Sequence, residues 1–205
     1  MIKAIIFDMG GVILDLSKKE SLSIPKALSI MFEISLEKAE EIWSGYNRVK
    51  IITGKETPGE FLRRVSKIIS SKKNIKTLLR KWRQLSLKDE NCINWELLSF
   101  IKDLRKEFKV YIMSDTVNVA QNDELTKKVK SEFDGYFVSY EEGFKKPEKE
   151  SFLNVLKKIG KKPEECIFID DSVHNIKAAG KLGMKSIVFK SLNQLKKDLT
   201  ELRVK

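Results

Sequence analysis

Cysteine, histidine and proline are scarce in this chain: among its 205 residues there are 2 cysteines, 1 histidine and 4 prolines. Cys92 and Cys166 stand far apart and in no metal-like spacing, so they read as two reduced, packed thiols of a cytosolic protein. Ten glycines and four prolines are too few for a collagen-like or Pro-rich disordered chain. No run of about 18 apolar residues occurs, which excludes a helical membrane span. The opening apolar run, Ile5-Ile6-Phe7, is closed by Asp8 and is too short for a signal peptide. A cytoplasmic location is the expectation.

What is present suits one globular core with a modest insertion: 41% of the residues are hydrophobic and 34% are charged. Lys+Arg outnumber Asp+Glu by 40 to 29, a formal charge of +11. Such a balance suits phosphate backbones, but the lysines are scattered (Lys72-Lys73, Lys127-Lys128, Lys157-Lys158, Lys161-Lys162, Lys196-Lys197) along outward helix faces. No aromatic-basic interleaving of the single-strand-binding kind occurs, so nucleic acid is not an expected partner. A positive field also draws in small phosphorylated metabolites.

Five short runs rich in Ile, Val and Phe read as buried strands, at 3–7, 110–113, 135–139, 166–169 and 186–189. Between them lie helical patterns at 97–108, 147–160 and 172–182. In the second of these, Phe152, Val155, Leu156 and Ile159 recur at helical spacing before Gly160. Alternating strands and helices predict an α/β fold with a doubly wound, mostly parallel sheet. From 16 to 87 the alternation stops. Only helical periodicity remains, with Leu36, Ala39, Ile42 and Trp43 in one segment and Phe61, Leu62, Val65, Ile68 and Ile69 in another. Thr53-Gly54 and Thr57-Pro58-Gly59 read as the turns between such segments. An all-helical insertion therefore follows the first strand.

The chemistry-bearing residues sit where strands end, the edge of an open α/β sheet that binds ligands. Asp8 ends the first strand, followed by Gly10 and Gly11, which let the backbone turn sharply. Ser114 and Asp115 end the second, and the reading places them at a helix start, an anion site. Lys146-Pro147 follows the third, with Pro147 read into the first turn of the next helix. Asp170 and Asp171 end the fourth, with Asn175 one turn on. Adjacent carboxylates repel each other, and hard oxygen ligands suit Mg²⁺. Three carboxylates balanced by Mg²⁺ and Lys146 leave a site able to accept a phosphate dianion, with Asp8 placed to attack it. Singly, an Asp after a strand is an ordinary turn residue. Four strand ends carrying Asp, Ser, Lys and Asp-Asp in that order are much harder to explain so.

These words and their order resemble the haloacid dehalogenase (HAD) superfamily. The stretch Phe7-Asp8-Met9-Gly10-Gly11-Val12 is similar to its first motif, Ile112-Met113-Ser114 to its second and Lys146-Pro147 to its third. Phe168-Ile169-Asp170-Asp171-Ser172 through Asn175 and Gly180 to Gly183 is similar to its fourth. The resemblance implies a Rossmann-like core at 1–15 and 88–205 and a small helical cap domain at 16–87. It implies Asp8 as the nucleophile, phosphorylated and then hydrolysed, and a Mg²⁺ held by Asp8, the Gly10 carbonyl and Asp171, with Asp170 ligating or supporting and Asn175 behind. Ser114, the Asp115 amide, Gly11 and Lys146 would hold the phosphate, Lys146 bridging it to Asp8.

One position departs from the family pattern. The usual second Asp of the first motif, which protonates the leaving alcohol and later activates water, is Gly10 here. Such help is worth about 10²–10⁴-fold. Asp15 lies too far along the turn to take its place. A hemiacetal leaving group needs the acid less, which makes sugar phosphates a candidate substrate class. Two readings follow: a Mg²⁺-dependent phosphatase of small phosphorylated metabolites, or a catalytically weak or inactive HAD-like protein that binds Mg²⁺ and a phosphorylated ligand in a regulatory role. Haloacid dehalogenation is disfavoured by Lys146, Asp170 and Asp171. A receiver domain is disfavoured by the order of the motifs. Asp115 also departs, standing where the family often has Asn. In the insertion, Trp43, Tyr46, Asn47 and Lys50 are possible substrate contacts, with Trp43 and Tyr46 read as packing residues. His174 reads as a bystander at a helix start.

Overall fold

The computed structural model describes residues 1–15, 23–45, 48–86, 90–119 and 124–202. Its centre is a five-stranded sheet of β1 (Ala4–Phe7), β2 (Lys109–Ser114), β3 (Gly135–Val138), β4 (Cys166–Asp170) and β5 (Lys185–Val188). The strands are ordered β3-β2-β1-β4-β5, and all neighbours are parallel. The middle strand is buried on both faces, with every β1 residue at most 1% exposed. That burial is why it reads as an unbroken apolar run rather than an alternating one.

Parallel neighbours need crossovers, and these supply the helices that cover the sheet. On one face, Ile5, Phe7, Val110, Ile112, Ile167 and Ile169 pack on α6 (Trp95–Leu104), α7 (Glu124–Ser131) and α11 (Leu192–Glu201). On the other, Ala4, Ile6 and Phe168 meet α9 (Lys149–Ile159) and α10 (Val173–Lys181) through Phe152, Val155, Leu156 and Ala179. Phe152 and Phe168 meet edge to face, centroids 5.2 Å apart. The short helix α8 (Ser139–Glu142) follows β3 directly.

Among the described residues between β1 and α6 lie five α-helices, α1 (Ile24–Phe32), α2 (Leu36–Gly45), α3 (Arg48–Ile52), α4 (Pro58–Ile68) and α5 (Ile75–Ser86). They share a core of their own, with Leu28, Met31, Ile42, Phe61, Leu62, Val65 and Trp82 buried together. Trp43 packs edge to face on Phe61 in that cluster, as a packing residue. Thr57-Pro58-Gly59 proves to be a helix start. The Thr57 side chain accepts from the Glu60 N–H, the Glu60 carboxylate reaches back to the Thr57 N–H, and Pro58 fills a first-turn position whose N–H would be unpaired anyway. Tyr46 and Asn47 lie outside the described residues.

Among the described residues the helical insertion meets the sheet core at the loop after β2 and at the end of α3. Val117 and Val119, on the loop after β2, are buried in the insertion's own cluster. At the end of α3, Gly54 turns at φ +70° so close to the Tyr140 carbonyl that a Cβ would collide with it. Among the described residues no helix is long and apolar enough to cross a membrane.

Candidate active site

The strand order reverses between β1 and β4, because the chain builds outward from β1 to β3 and then crosses back to lay β4 on the other side. A crevice opens at such a switch point beyond the carboxyl ends of the strands. Asp8 and Asp170-Asp171 stand on its two sides. The Asp8 N–H continues the ladder by donating to the Ile169 carbonyl at 2.8 Å, and the Phe189 N–H donates to the Asp170 carbonyl at 2.9 Å. Both acids therefore sit on rigid strand ends.

After Asp8 the chain folds back tightly. The Leu14 N–H donates to the Met9 carbonyl and the Gly11 N–H to the Leu14 carbonyl, at 2.7 and 2.8 Å. Gly11 adopts φ +75°, and a Cβ on it would run into the Asp171 carboxylate. The second glycine thus serves both the turn and the approach of Asp171. Asp15 is carried away by this turn. It lines a neighbouring cleft of about 790 Å³ with Gly11, Asn94 and Asp171, whereas the cavity of about 230 Å³ at Asp8 is lined by Gly10, Ser114, Asp115, Thr116, Lys146 and Asn175.

Lys146 is the hub of the cavity. Its Nζ lies 2.6 Å from Asp8 Oδ1 and 2.7 Å from Asp170 Oδ2, and donates to the Met113 carbonyl at 3.1 Å. Its side chain is 2% exposed. Burial alone would lower its ammonium pKa, but the facing carboxylates of Asp8, Asp170 and Asp115 outweigh that and hold it above the usual lysine range. Asp170 is wholly buried and fully engaged, its Oδ1 also accepting from the Ser172 N–H at 2.8 Å and both oxygens accepting from Asn175 Nδ2. Asp171 is exposed. Burial pushes the Asp8 carboxyl up to about 6 against the pull of Lys146, with Asp170 adding to the rise.

The second and third strand ends differ from the sequence reading. Ser114 does not open a helix: residues 115–117 are irregular, and the next described helix is α7. The buried Ser139 hydroxyl at the start of α8 pins this loop instead, accepting from the Thr116 N–H at 3.0 Å and donating to the Thr116 carbonyl at 3.2 Å. Ser114 is 7% exposed and lines the cavity. Pro147 precedes α9 in a turn rather than joining its first turn, and the Lys146–Pro147 peptide is cis. Asp115 caps no helix either. Its Oδ1 accepts from the Lys146 backbone N–H at 3.1 Å, a tie between the end of β2 and the loop after α8 that sequence spacing did not reveal. His174 is exposed and outside the cavity lining.

Carboxylate oxygens of Asp8, Asp170 and Asp171 can all lie within 4.8 Å of one another. Three carboxylates against one ammonium leave two negative charges uncompensated in a largely buried place, and the donors are hard oxygens. A divalent cation such as Mg²⁺ fits that set.

A family model for haloacid dehalogenase-like hydrolases matches residues 2–183. The chain belongs to this family. The fold likeness covers nearly all of this chain: a structure described as a predicted HAD-like family hydrolase from Porphyromonas gingivalis superposes with TM-score 0.78, at 24% identity, over 99% of this chain and 98% of that one. A HAD family enzyme from Bacteroides thetaiotaomicron, solved in complex with magnesium and inorganic phosphate, is 26% identical with TM-score 0.73, over 95% of this chain and 99% of its own. A curated relative from the same organism, D-ribitol-5-phosphate phosphatase, is 27% identical over 91% of each chain.

Proposed function

We propose that this HAD-like hydrolase is a Mg²⁺-dependent phosphatase of small phosphorylated metabolites, working through an aspartyl-phosphate on Asp8. One observation carries the reading: the buried Asp8 carboxyl at the switch crevice, 2.6 Å from a buried lysine and beside two further acids. The relative that acts on D-ribitol-5-phosphate and the relative holding magnesium with phosphate support the substrate class, polyol and sugar phosphates, and the metal.

Asp8, the Gly10 carbonyl and Asp171 would hold Mg²⁺, with Asp170 and Asn175 keeping that edge in place. When bound, the ion neutralises the surplus negative charge and withdraws electrons from the phosphoryl group. The Lys146 ammonium, anchored by Asp170, bridges Asp8 and a phosphate oxygen, so nucleophile and electrophile share one cation. Ser114 Oγ, which makes no hydrogen bond to a described residue, and the Asp115 N–H take further phosphate oxygens, with Gly11 allowing close approach. Asp8 attacks phosphorus and the ester oxygen leaves. Water then cleaves the acyl phosphate and restores the carboxylate. The insertion at 16–87 acts as a cap domain over this edge of the core formed by 1–15 and 88–205.

Gly10 favours a second reading, a protein that binds Mg²⁺ and a phosphorylated ligand with little turnover. Phosphate release from a panel of phosphomonoesters, with Mg²⁺ or with EDTA and with Asp8→Asn as control, separates the two. The phosphatase reading expects release that needs both metal and Asp8. Full Mg²⁺-dependent turnover by Asp8→Asn contradicts the aspartyl-phosphate, and no release from any ester supports the second reading.

A further inference from the structure

Gly10 leaves the reaction without a side chain to protonate the departing alcohol, yet the cavity still needs a proton at that oxygen. Among the described residues only two carboxyl groups line the cavity, those of Asp8 and Asp115. Asp8 is the nucleophile in the reading above. Asp170 has both oxygens occupied, and Asp15 lines the neighbouring cleft. Asp115 is differently placed. One oxygen is fixed by the Lys146 N–H, while Oδ2 makes no hydrogen bond or ion pair with a described residue. A carboxyl held by one oxygen, with the other unengaged, on the wall of the cavity that holds Asp8 is an arrangement open to a proton donor.

We propose that Asp115 is the general acid and base of this hydrolase, in the role left vacant by Gly10. The inference rests on the phosphatase reading. Asp115 as a residue is solvent-exposed, yet partial desolvation of its carboxyl where it lines the cavity holds it above the usual range against the opposing pull of Lys146. The backbone N–H of the same residue is assigned to the phosphate, so its carboxyl starts within a residue's length of the ester. In the first step Asp8 forms an O–P bond while the bond from phosphorus to the ester oxygen breaks, and the proton on Asp115 Oδ2 passes to that oxygen, releasing an alcohol. In the second step Asp115, now a carboxylate, takes a proton from water as its oxygen bonds to phosphorus. The Asp8–phosphorus bond breaks, inorganic phosphate leaves, and Asp8 and protonated Asp115 are restored.

A proton donor matters most when the leaving group is poor, which a residue that only shapes the Lys146 loop would not reproduce. Turnover of an alkyl phosphate and of 4-nitrophenyl phosphate is compared in the parent and in Asp115→Asn, whose amide oxygen can still accept from the Lys146 N–H. The expected loss on the alkyl ester is about 10²-fold or more, and at least about tenfold greater than the loss on the nitrophenyl ester. Adding Gly10→Asp to Asp115→Asn is expected to recover much of the alkyl-ester loss. Equal losses on both esters, or none, overturn the role of Asp115 while leaving the phosphatase reading standing. The parent enzyme gives a test free of any folding defect: its rates across a series of leaving groups are expected to vary shallowly, and a steep dependence contradicts an acid in the site. No hydrolysis of any ester by the parent overturns the phosphatase reading and the role of Asp115 with it.

Discussion

At Gly11 the backbone turns at φ +75°, and the space where a Cβ would stand is taken by the Asp171 carboxylate. Gly11→Ala therefore has to strain the turn, at about 1–3 kcal/mol, or push Asp171 away from Asp8. We expect the folded variant to need more Mg²⁺ for half-maximal turnover, read from a metal titration of phosphate release. An unchanged requirement would show that Asp171 does not depend on this glycine. Lys146 illustrates a different residue-level constraint. Among the described residues it is the one cation paired with both Asp8 and Asp170, and its side chain is almost wholly buried. Lys146→Met leaves those two carboxylates facing each other unpaired, and removing one member of a buried ion pair costs about 3–5 kcal/mol. Denaturant unfolding without metal is the check, and a loss below about 1 kcal/mol would mean the neighbourhood relaxes around the missing charge.

At the scale of elements, α4 is held at its start by the reciprocal bonds of Thr57 and Glu60. Thr57→Ala should cost about 1 kcal/mol of stability, measurable as a lowered unfolding midpoint, with the active-site geometry untouched. The five strands were legible as short apolar runs, and α6, α9, α10 and the helices of the insertion by their helical spacing, while α11 was not read. Strand ends moved by a residue where Lys109 and Lys185 continue the pairing despite their charge. Turn words were read less well. Pro58-Gly59 opens a helix because Thr57 caps it, and Pro147 sits outside one because Glu148 starts the next. Of the cavity lining, Asp8, Gly10, Ser114, Asp115, Lys146 and Asn175 were named from the sequence because each ends or follows a strand, while Met9, Leu14 and Thr116 were not, and Gly11 and Asp171 line the neighbouring cleft. What joins the members of the lining was not legible. The Asp115 side chain accepts from a backbone N–H in the loop between α8 and α9, and the Ser139 hydroxyl accepts from the Thr116 N–H. Single side-chain-to-backbone contacts across a fold have no period to read. Val117 and Val119 likewise look like part of the core's own loop, yet they are buried among the helices of the insertion.

For the whole molecule, a charge of +11 is carried by a dispersed surface, while the crevice itself is acidic once Lys146 is counted. A divalent cation bound there in the folded state alone must stabilise the protein by mass action. Mg²⁺ at a hundredfold excess over its Kd should add about 2.7 kcal/mol. The melting temperature is then expected to rise with Mg²⁺ in the parent and to stay flat in Asp171→Asn. A flat response in the parent would contradict a metal site among these acids. The most direct test of the whole account is to catch the phosphoryl group on the protein. A good substrate from the ester panel, labelled with ³²P, is mixed with excess enzyme and Mg²⁺, quenched in acid within a turnover and digested. The account predicts label on the peptide that contains Asp8, formed at least as fast as phosphate appears and absent from Asp8→Asn. Rapid phosphate release with no labelled peptide, or with label on another residue, would contradict it.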